Sequence, residues 1–390
     1  MKKLSFIARM DLIQATTSLL LVGVTSMTTL SSKAATTDAP NGVSSPIATI
    51  QQVPTPKLVR TIDLSNIGSA VAIRKLSFSP NSRYLAIVVD PELGKTDIVV
   101  WDMEKGKPQA QIHCPYQYGV LADHDLLWSR DGKVISFGAK RQWDPMNGDA
   151  LPDNPAIGRA ARFNKDGTKM LTIVGALGQP SYIHVYDTAT WAVQKLYLDG
   201  FAAVAAAWTA DDKIIVGTSL THELYSKVIG GYKPQRPEDH ALLLLDPSGK
   251  QSTETKWFLA KPSGDPKDPF TFTFPSGGVG ISNFKTNRIY SPKGIVIDGR
   301  TMEITYVNYF DGRRSEMAFS PDGARLYLRA EPFKYGGHVP VRNSIVDLNS
   351  GTTLIQFGKI TESGNGFAAS PDGLSLALGL ISTLEIFQLQ

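Results

Sequence analysis

The chain has little from which reactive chemistry is built. Its 390 residues include one cysteine and six histidines. A single cysteine excludes an intramolecular disulfide, so a folded domain must draw its stability from its core. Cys114 itself reads as a buried, inert thiol at a strand end rather than a nucleophile. Charge of one sign is also lacking: 40 Lys and Arg stand against 36 Asp and Glu. Four of those cations (Lys2, Lys3, Arg9, Lys33) and one acid (Asp11) fall within the first 34 residues, and the remainder is close to neutral. No basic cluster of the kind that tracks a phosphate backbone is visible, which argues against nucleic acid as a partner. The apolar run that opens at Leu19-Leu20-Leu21-Val22-Gly23-Val24 is too short to span a bilayer, so stable membrane insertion is not expected. Gly-x-Ser-x-Gly, phosphate-loop, dinucleotide-binding and EF-hand patterns are missing from the sequence. His222-Glu223 opens like a zinc-binding helix motif, but Ser226 stands where the second histidine belongs. No catalytic residue and no cofactor is expected on these grounds.

What the chain does have is turns. Hydrophobic residues make up 42% of it and charged residues 19%, enough to bury a sizeable core. Thirty-four glycines and twenty-four prolines are spread along its length, which suits many short strands rather than long helices. The first 34 residues read as a signal peptide: a basic start, a short apolar stretch, and Ser32-Lys33-Ala34 as a small-x-small cleavage pattern. The mature protein is then periplasmic or extracellular. Residues 35–56, rich in Ala, Thr, Ser and Pro, read as a flexible leader.

From residue 57 the sequence repeats itself. One unit is an aromatic residue, a small polar residue and a tight turn. It occurs as Phe78-Ser79-Pro80-Asn81-Ser82, Trp128-Ser129-Arg130-Asp131-Gly132, Phe163-Asn164-Lys165-Asp166-Gly167, Trp208-Thr209-Ala210-Asp211-Asp212 and Phe319-Ser320-Pro321-Asp322-Gly323. Ala369-Ser370-Pro371-Asp372-Gly373 keeps the turn without the aromatic, and Phe284-Lys285-Thr286-Asn287 reads as a degenerate seventh copy. Asp-Gly and Asn-Ser favour a hairpin, and an aromatic at a strand end can fill the space between neighbouring sheets. Between copies lies a second unit, a β run ending in Asp at 102, 144, 187, 246, 298 and 347 and followed by another turn. Spacings of 42 to 59 between these aspartates match the period of a four-stranded propeller blade. The aspartates read as turn residues, not as catalytic acids.

These residues resemble the repeats of WD40 and related bacterial β-propellers, over 57–390. The Trp-Asp pair itself survives only at Trp101-Asp102 and Trp143-Asp144, and no Gly-His dipeptide opens any repeat. The resemblance implies an all-β, single seven-bladed β-propeller after the signal peptide and leader. Residues 57–64 would supply the outer strand of the last blade, closing the ring.

In that scheme long connections fall at 114–125, 221–240, 261–276 and 330–343, all in the two loop classes that share one face. Tyr116, Tyr118, His124, Tyr225, Tyr232, Arg236, Tyr335, His338 and Arg342 sit in or beside them, and Tyr and Arg are the types favoured at recognition hot spots. The expected function is a non-catalytic binding or scaffolding propeller that engages a protein or peptide partner through this loop face. The alternative is a secreted propeller enzyme, lactonase-like or dehydrogenase-like, with a site at the central channel. An enzyme should carry charge on its innermost strands. Ala205-Ala206-Ala207, Met317-Ala318 and Phe367-Ala368-Ala369 suggest that these strands are small or apolar, which favours binding.

Overall fold

Strand length and alternation follow directly from the two repeated turns, which cut the chain into short hydrogen-bonded runs. The computed structural model describes residues 55–389 except 68–71, 93–94, 115–125, 134, 138–140, 176–180, 199–200, 221–239, 249–254, 258–279, 291–294, 307–313, 332–340 and 362–365. The described residues are all-β apart from one short 3-10 turn at Ser65–Ile67.

Among the described residues, twenty-eight strands make seven four-stranded antiparallel sheets. β1 (Pro56–Asp63) stands apart from its sequence neighbours. Sheet 1 holds β2 (Ala72–Phe78), β3 (Tyr84–Asp90), β4 (Thr96–Asp102) and β5 (Lys107–Cys114). Sheet 2 holds β6 (Leu126–Trp128), β7 (Ile135–Phe137), β8 (Arg141–Trp143) and β9 (Ala150–Leu151). Sheet 3 follows with β10 (Arg159–Phe163), β11 (Lys169–Val174), β12 (Tyr182–Asp187) and β13 (Val193–Tyr197). In sheet 4 are β14 (Phe201–Trp208), β15 (Ile214–Leu220), β16 (His240–Leu245) and β17 (Thr255–Trp257). Sheet 5 comprises β18 (Ile281–Asn283), β19 (Arg288–Tyr290), β20 (Ile295–Asp298) and β21 (Ile304–Tyr306). Sheet 6 comprises β22 (Arg314–Phe319), β23 (Arg325–Glu331), β24 (Val341–Asp347) and β25 (Thr353–Thr361). The last sheet takes only β26 (Phe367–Ala369), β27 (Ser375–Gly379) and β28 (Thr383–Leu389) from the C-terminus, and β1 pairs antiparallel with β28 as its fourth strand.

The first repeated unit is the turn between the first and second strands of each sheet. Ser82, Gly132, Gly167, Asp212, Asn287, Gly323 and Gly373 occupy the same place, and all seven have left-handed φ between 53° and 73°. In most copies the small polar residue after the strand holds the turn. Ser79, Ser129, Thr209, Ser320 and Ser370 each donate a hydroxyl to the Asn or Asp two residues on. In sheet 5 the unit is shifted by one from the sequence expectation. Asn283, not Phe284, takes the strand-end place, and its Oδ1 accepts from the Lys285 and Thr286 N–H groups. The second unit is a side-chain-closed turn. Asp102, Asp187, Asp298 and Asp347 each accept backbone N–H bonds from the residues two and three ahead.

Neighbouring sheets touch at their first turns. A methyl on Gly132 would lie 3.8 Å from Pro80 Cδ, and one on Gly167 3.4 Å from Arg130 Cβ. Asn164 Nδ2 donates to Asp212 Oδ1 at 3.1 Å, and Ala210 N to Asn287 Oδ1 at 2.6 Å. Asn283 Nδ2 reaches the Gly323 carbonyl at 2.8 Å, and a Gly373 methyl would meet Pro321 Cδ at 2.6 Å. Finally Asp372 N donates to Ser82 Oγ at 3.1 Å, linking sheet 7 to sheet 1.

Packing explains why the middle strands are apolar throughout rather than alternating. In β3, Leu85, Ile87 and Val89 pack with Ile62, Leu64, Ala368, Ala377, Leu384 and Ile386 of sheet 7 and its entry. Tyr84, Ala86 and Val88 on its other face pack with Leu126, Trp128 and Trp143 of sheet 2. A sheet buried on both faces needs hydrophobic residues at both phases of the strand. The strand-end tryptophans add a hydrogen bond to the seam: Trp128 Nε1 donates to Ser77 O and Trp208 Nε1 to Arg162 O, each in the preceding sheet.

Candidate functional site

Of the loop residues singled out in the sequence, Tyr116, Tyr118, His124, Tyr225, Tyr232, Arg236, Tyr335 and His338 lie outside the described residues. Arg342 is described. It is exposed near the start of β24, opposite Ala330 of β23. The strand ends that flank the long connections can be followed. The β5–β6, β15–β16, β17–β18 and β23–β24 connections all leave from the sheet ends opposite the first turns, as antiparallel pairing requires.

The expectation of small or apolar first strands holds at β14 and β26, where Ala205, Ala206, Ala207, Phe367 and Ala368 are buried, but not in three other sheets. β2 carries Arg74 and Lys75, β10 carries Arg159 and Arg162, and β22 carries Glu316. Lys75 and Glu316 stand three residues before the strand-end aromatics Phe78 and Phe319, and Arg162 stands one before Phe163. Offsets of three and one share a strand face, because side chains alternate with period two. Aligning the seven copies on their left-handed residues would have exposed this row. Reading only the alanine-rich copies concealed it.

Each of the three charges keeps some accessible surface while being deeply enclosed by protein. Burial drives Lys75 down to about 7, the nearby Arg162 adds to the fall, and Glu316 opposes it. Burial lowers Arg162 to about 10. Glu316 is raised by burial, against the attraction of Arg329 and Lys75. Lys75 and Arg162 belong to sheets 1 and 3, and Glu316 to sheet 6, so side chains from non-adjacent sheets feel one another.

The surround is firmly built. Glu316 Oε2 accepts from Gly366 N at 3.1 Å, and Arg329, its cross-strand partner, donates through Nη1 to the Gly366 and Gly379 carbonyls at 3.0 and 2.9 Å. Gly366, at φ 105°, fits because a methyl there would press Leu76 Cγ at 3.0 Å, and Leu76 adjoins Lys75. Arg329 is also drawn toward the buried Glu385 of sheet 7. Arg159 Nη2 donates to Ala203 O of the next sheet at 2.9 Å, and Arg74 pairs with Asp90 at 2.6 Å. Register irregularities at Ile73/Lys75 and Arg159/Arg162 insert extra residues into β2 and β10, bending both strands where the cations sit.

Cys114 is half-buried, and burial and Asp97 push its thiol to about 12, so the thiolate is suppressed at neutral pH. His184 is buried with Nδ1 2.8 Å from Tyr186 Oη, which also accepts from Ile157 N. Among the described residues no group of three or more His, Cys, Asp or Glu is placed to hold a metal, and no helix is long and apolar enough to cross a membrane. No protein-family model matches the chain, and no curated protein matches its sequence.

Proposed function

We propose that the seven sheets close into a seven-bladed β-propeller, resembling WD40-type rings, that works as a non-catalytic binding module outside the cytoplasm. The partner is a protein or peptide, held at the end of the sheets opposite the first turns. Support for the ring comes from the circuit of turn contacts, in which sheet 7 returns to sheet 1 through Asp372 and Ser82. Further support comes from β1, which gives sheet 7 its fourth strand from the other end of the chain and covers its edge. The export reading is supported by the basic, then apolar, then small-residue order of the first 34 residues.

The observation that carries the binding reading is the asymmetry between the two sheet ends. First turns are tight and touch one another, whereas all four long connections spring from the other end. Long connections on a rigid scaffold are where recognition residues concentrate. The test replaces residues 221–239 with a short Gly-Ser turn and compares the two forms in a pull-down from the native compartment. The reading expects an intact fold, since loop length changes closure entropy only weakly, and loss of partners recovered by the wild type. Equal recovery by both forms would remove this connection from the binding surface.

The charges of Lys75, Arg162 and Glu316 favour a second reading, a propeller enzyme with its site at the hub. Turnover of a lactone panel by the wild type but not by Glu316→Gln would support it. No turnover by either would count against it.

A further inference from the structure

We propose that Tyr182 and Tyr197 form an oxidative cross-linking site, where hydrogen peroxide and a one-electron oxidation catalyst join the two rings as dityrosine. The two residues are direct partners across β12 and β13 of sheet 3. Their ring centroids lie 5.8 Å apart, with the planes inclined at 46°. Residues opposite one another in an antiparallel pair share a face, so the strand register itself holds the rings together. Among the described residues this is the one pair of tyrosine rings in contact. Tyr197 is 64% exposed on the outer strand of its sheet, and Tyr182 is half-buried beside it. The other tyrosines whose side chains are described, Tyr84, Tyr186, Tyr290 and Tyr327, are buried. The site needs only the pairing of β12 with β13, so it stands or falls apart from the ring and its partner.

The two rings differ in freedom, and the chemistry uses both. Tyr182 is backed by His184, whose ring centroid is 5.1 Å away, and His184 is itself buried with Nδ1 2.8 Å from Tyr186 Oη. Tyr197, exposed, can change rotamer rapidly and swing onto its fixed neighbour. The catalyst first takes an electron from Tyr197, whose phenolic proton goes to solvent. An electron and proton from Tyr182 then repair Tyr197, and the catalyst oxidises Tyr197 a second time. The two phenoxyl radicals combine in a carbon–carbon bond between ring positions ortho to the oxygens, and the displaced ring hydrogens return to the oxygens as the rings regain aromaticity. Hydrogen peroxide accepts the two electrons and two protons and leaves as two waters. The product keeps both phenols and ties the edge strand of sheet 3 covalently to its neighbour. In a chain whose single cysteine excludes an internal disulfide, this is a cross-link that needs no thiol.

The experiment treats the dilute full chain with a haem peroxidase and hydrogen peroxide, isolates monomer, and reads dityrosine fluorescence, intact mass and digested peptides. The expected monomer has lost two hydrogen atoms and yields a peptide pair bridged between residues 182 and 197. Tyr197→Phe and Tyr182→Phe, which keep the ring and remove the phenol, should each abolish that bridge. Tyr327→Phe, at a buried tyrosine, should leave it in place. Circular dichroism checks that each variant is folded, and if a variant fails to fold, peptide mapping of the wild type decides alone. The same treatment in urea should give far less of the 182–197 bridge, because the strand register no longer holds the rings together. Wild-type monomer without the bridge, or dityrosine confined to other tyrosines or to oligomers, overturns the proposal. A bridge that forms as readily in the unfolded chain overturns it as well, since nearness in sequence would then account for it.

Discussion

The backbone N–H of Asp372 donates to the hydroxyl of Ser82 at 3.1 Å, although 290 positions separate them in the chain. Both belong to the first turn of their sheets, and the other five first turns also lie against their neighbours. Turn approaches link each consecutive pair of sheets, and the Asp372–Ser82 bond links the last sheet to the first. Loss of one contact is then felt by the two sheets that flank it.

Gly373→Ala tests that coupling. Gly373 has φ 73°, and a methyl there would lie 2.6 Å from Pro321 Cδ of the neighbouring sheet. Left-handed backbone disfavours alanine, and the proline ring cannot rotate away, so the two costs add. The expected loss is about 1–3 kcal/mol in urea denaturation. A variant as stable as the wild type would mean that the sheet 6 and sheet 7 turns are not in contact.

The turns were legible in the sequence because everything that makes them is local. Ser370, Asp372 and Gly373 close their hairpin through bonds spanning five residues or fewer. The role of residues 57–64 was also legible, because the last repeat carries three strand-like runs where the others carry four, and β1 pairs with β28 as the missing one. The hub was not. Whether Lys75 of β2 and Arg162 of β10 meet depends on how separate sheets converge, and no spacing in the sequence encodes that distance. Asn283 was missed for a related reason: Phe284 satisfied the aromatic pattern, while the hydrogen bonds to Lys285, Thr286 and Gly323 selected its neighbour.

Acid should destabilise the fold through the second turns. Asp102, Asp187, Asp298 and Asp347 are held below the ordinary carboxylate range, chiefly by the backbone N–H groups of Lys105, Thr190, Thr301 and Ser350. The folded state therefore favours the ionised form. The resulting stability is full above the unfolded value near 4 and is lost as pH falls through the lower folded values. Melting temperature measured from pH 7 to pH 3 should start to fall below about pH 5. A flat profile would contradict the bonding assigned to these carboxylates.

Lys75→Met should stabilise the protein at neutral pH. Burial holds Lys75 at about 7, far under its unfolded value, so between those limits the unfolded chain binds a proton that the folded chain does not. The native lysine thus costs stability at pH 7 and less as pH rises toward 10. Removing it should raise stability at pH 7 in denaturant unfolding, a gain that shrinks toward pH 10. Destabilisation at pH 7 would show that Lys75 contributes more to packing than it costs in desolvation.

The most direct test of the ring is a cross-link between its two ends. In a Cys114→Ser background, Ser82→Cys and Asp372→Cys are introduced together, the protein is oxidised, and monomer is digested for mass spectrometry. A closed ring predicts a peptide pair bridged between residues 82 and 372 in the monomer. The matching pair Asp131→Cys and Asp322→Cys, on the non-adjacent sheets 2 and 6, should give none. Monomer that stays free of the 82–372 bridge, or that forms the 131–322 bridge just as readily, would contradict the seven-bladed ring.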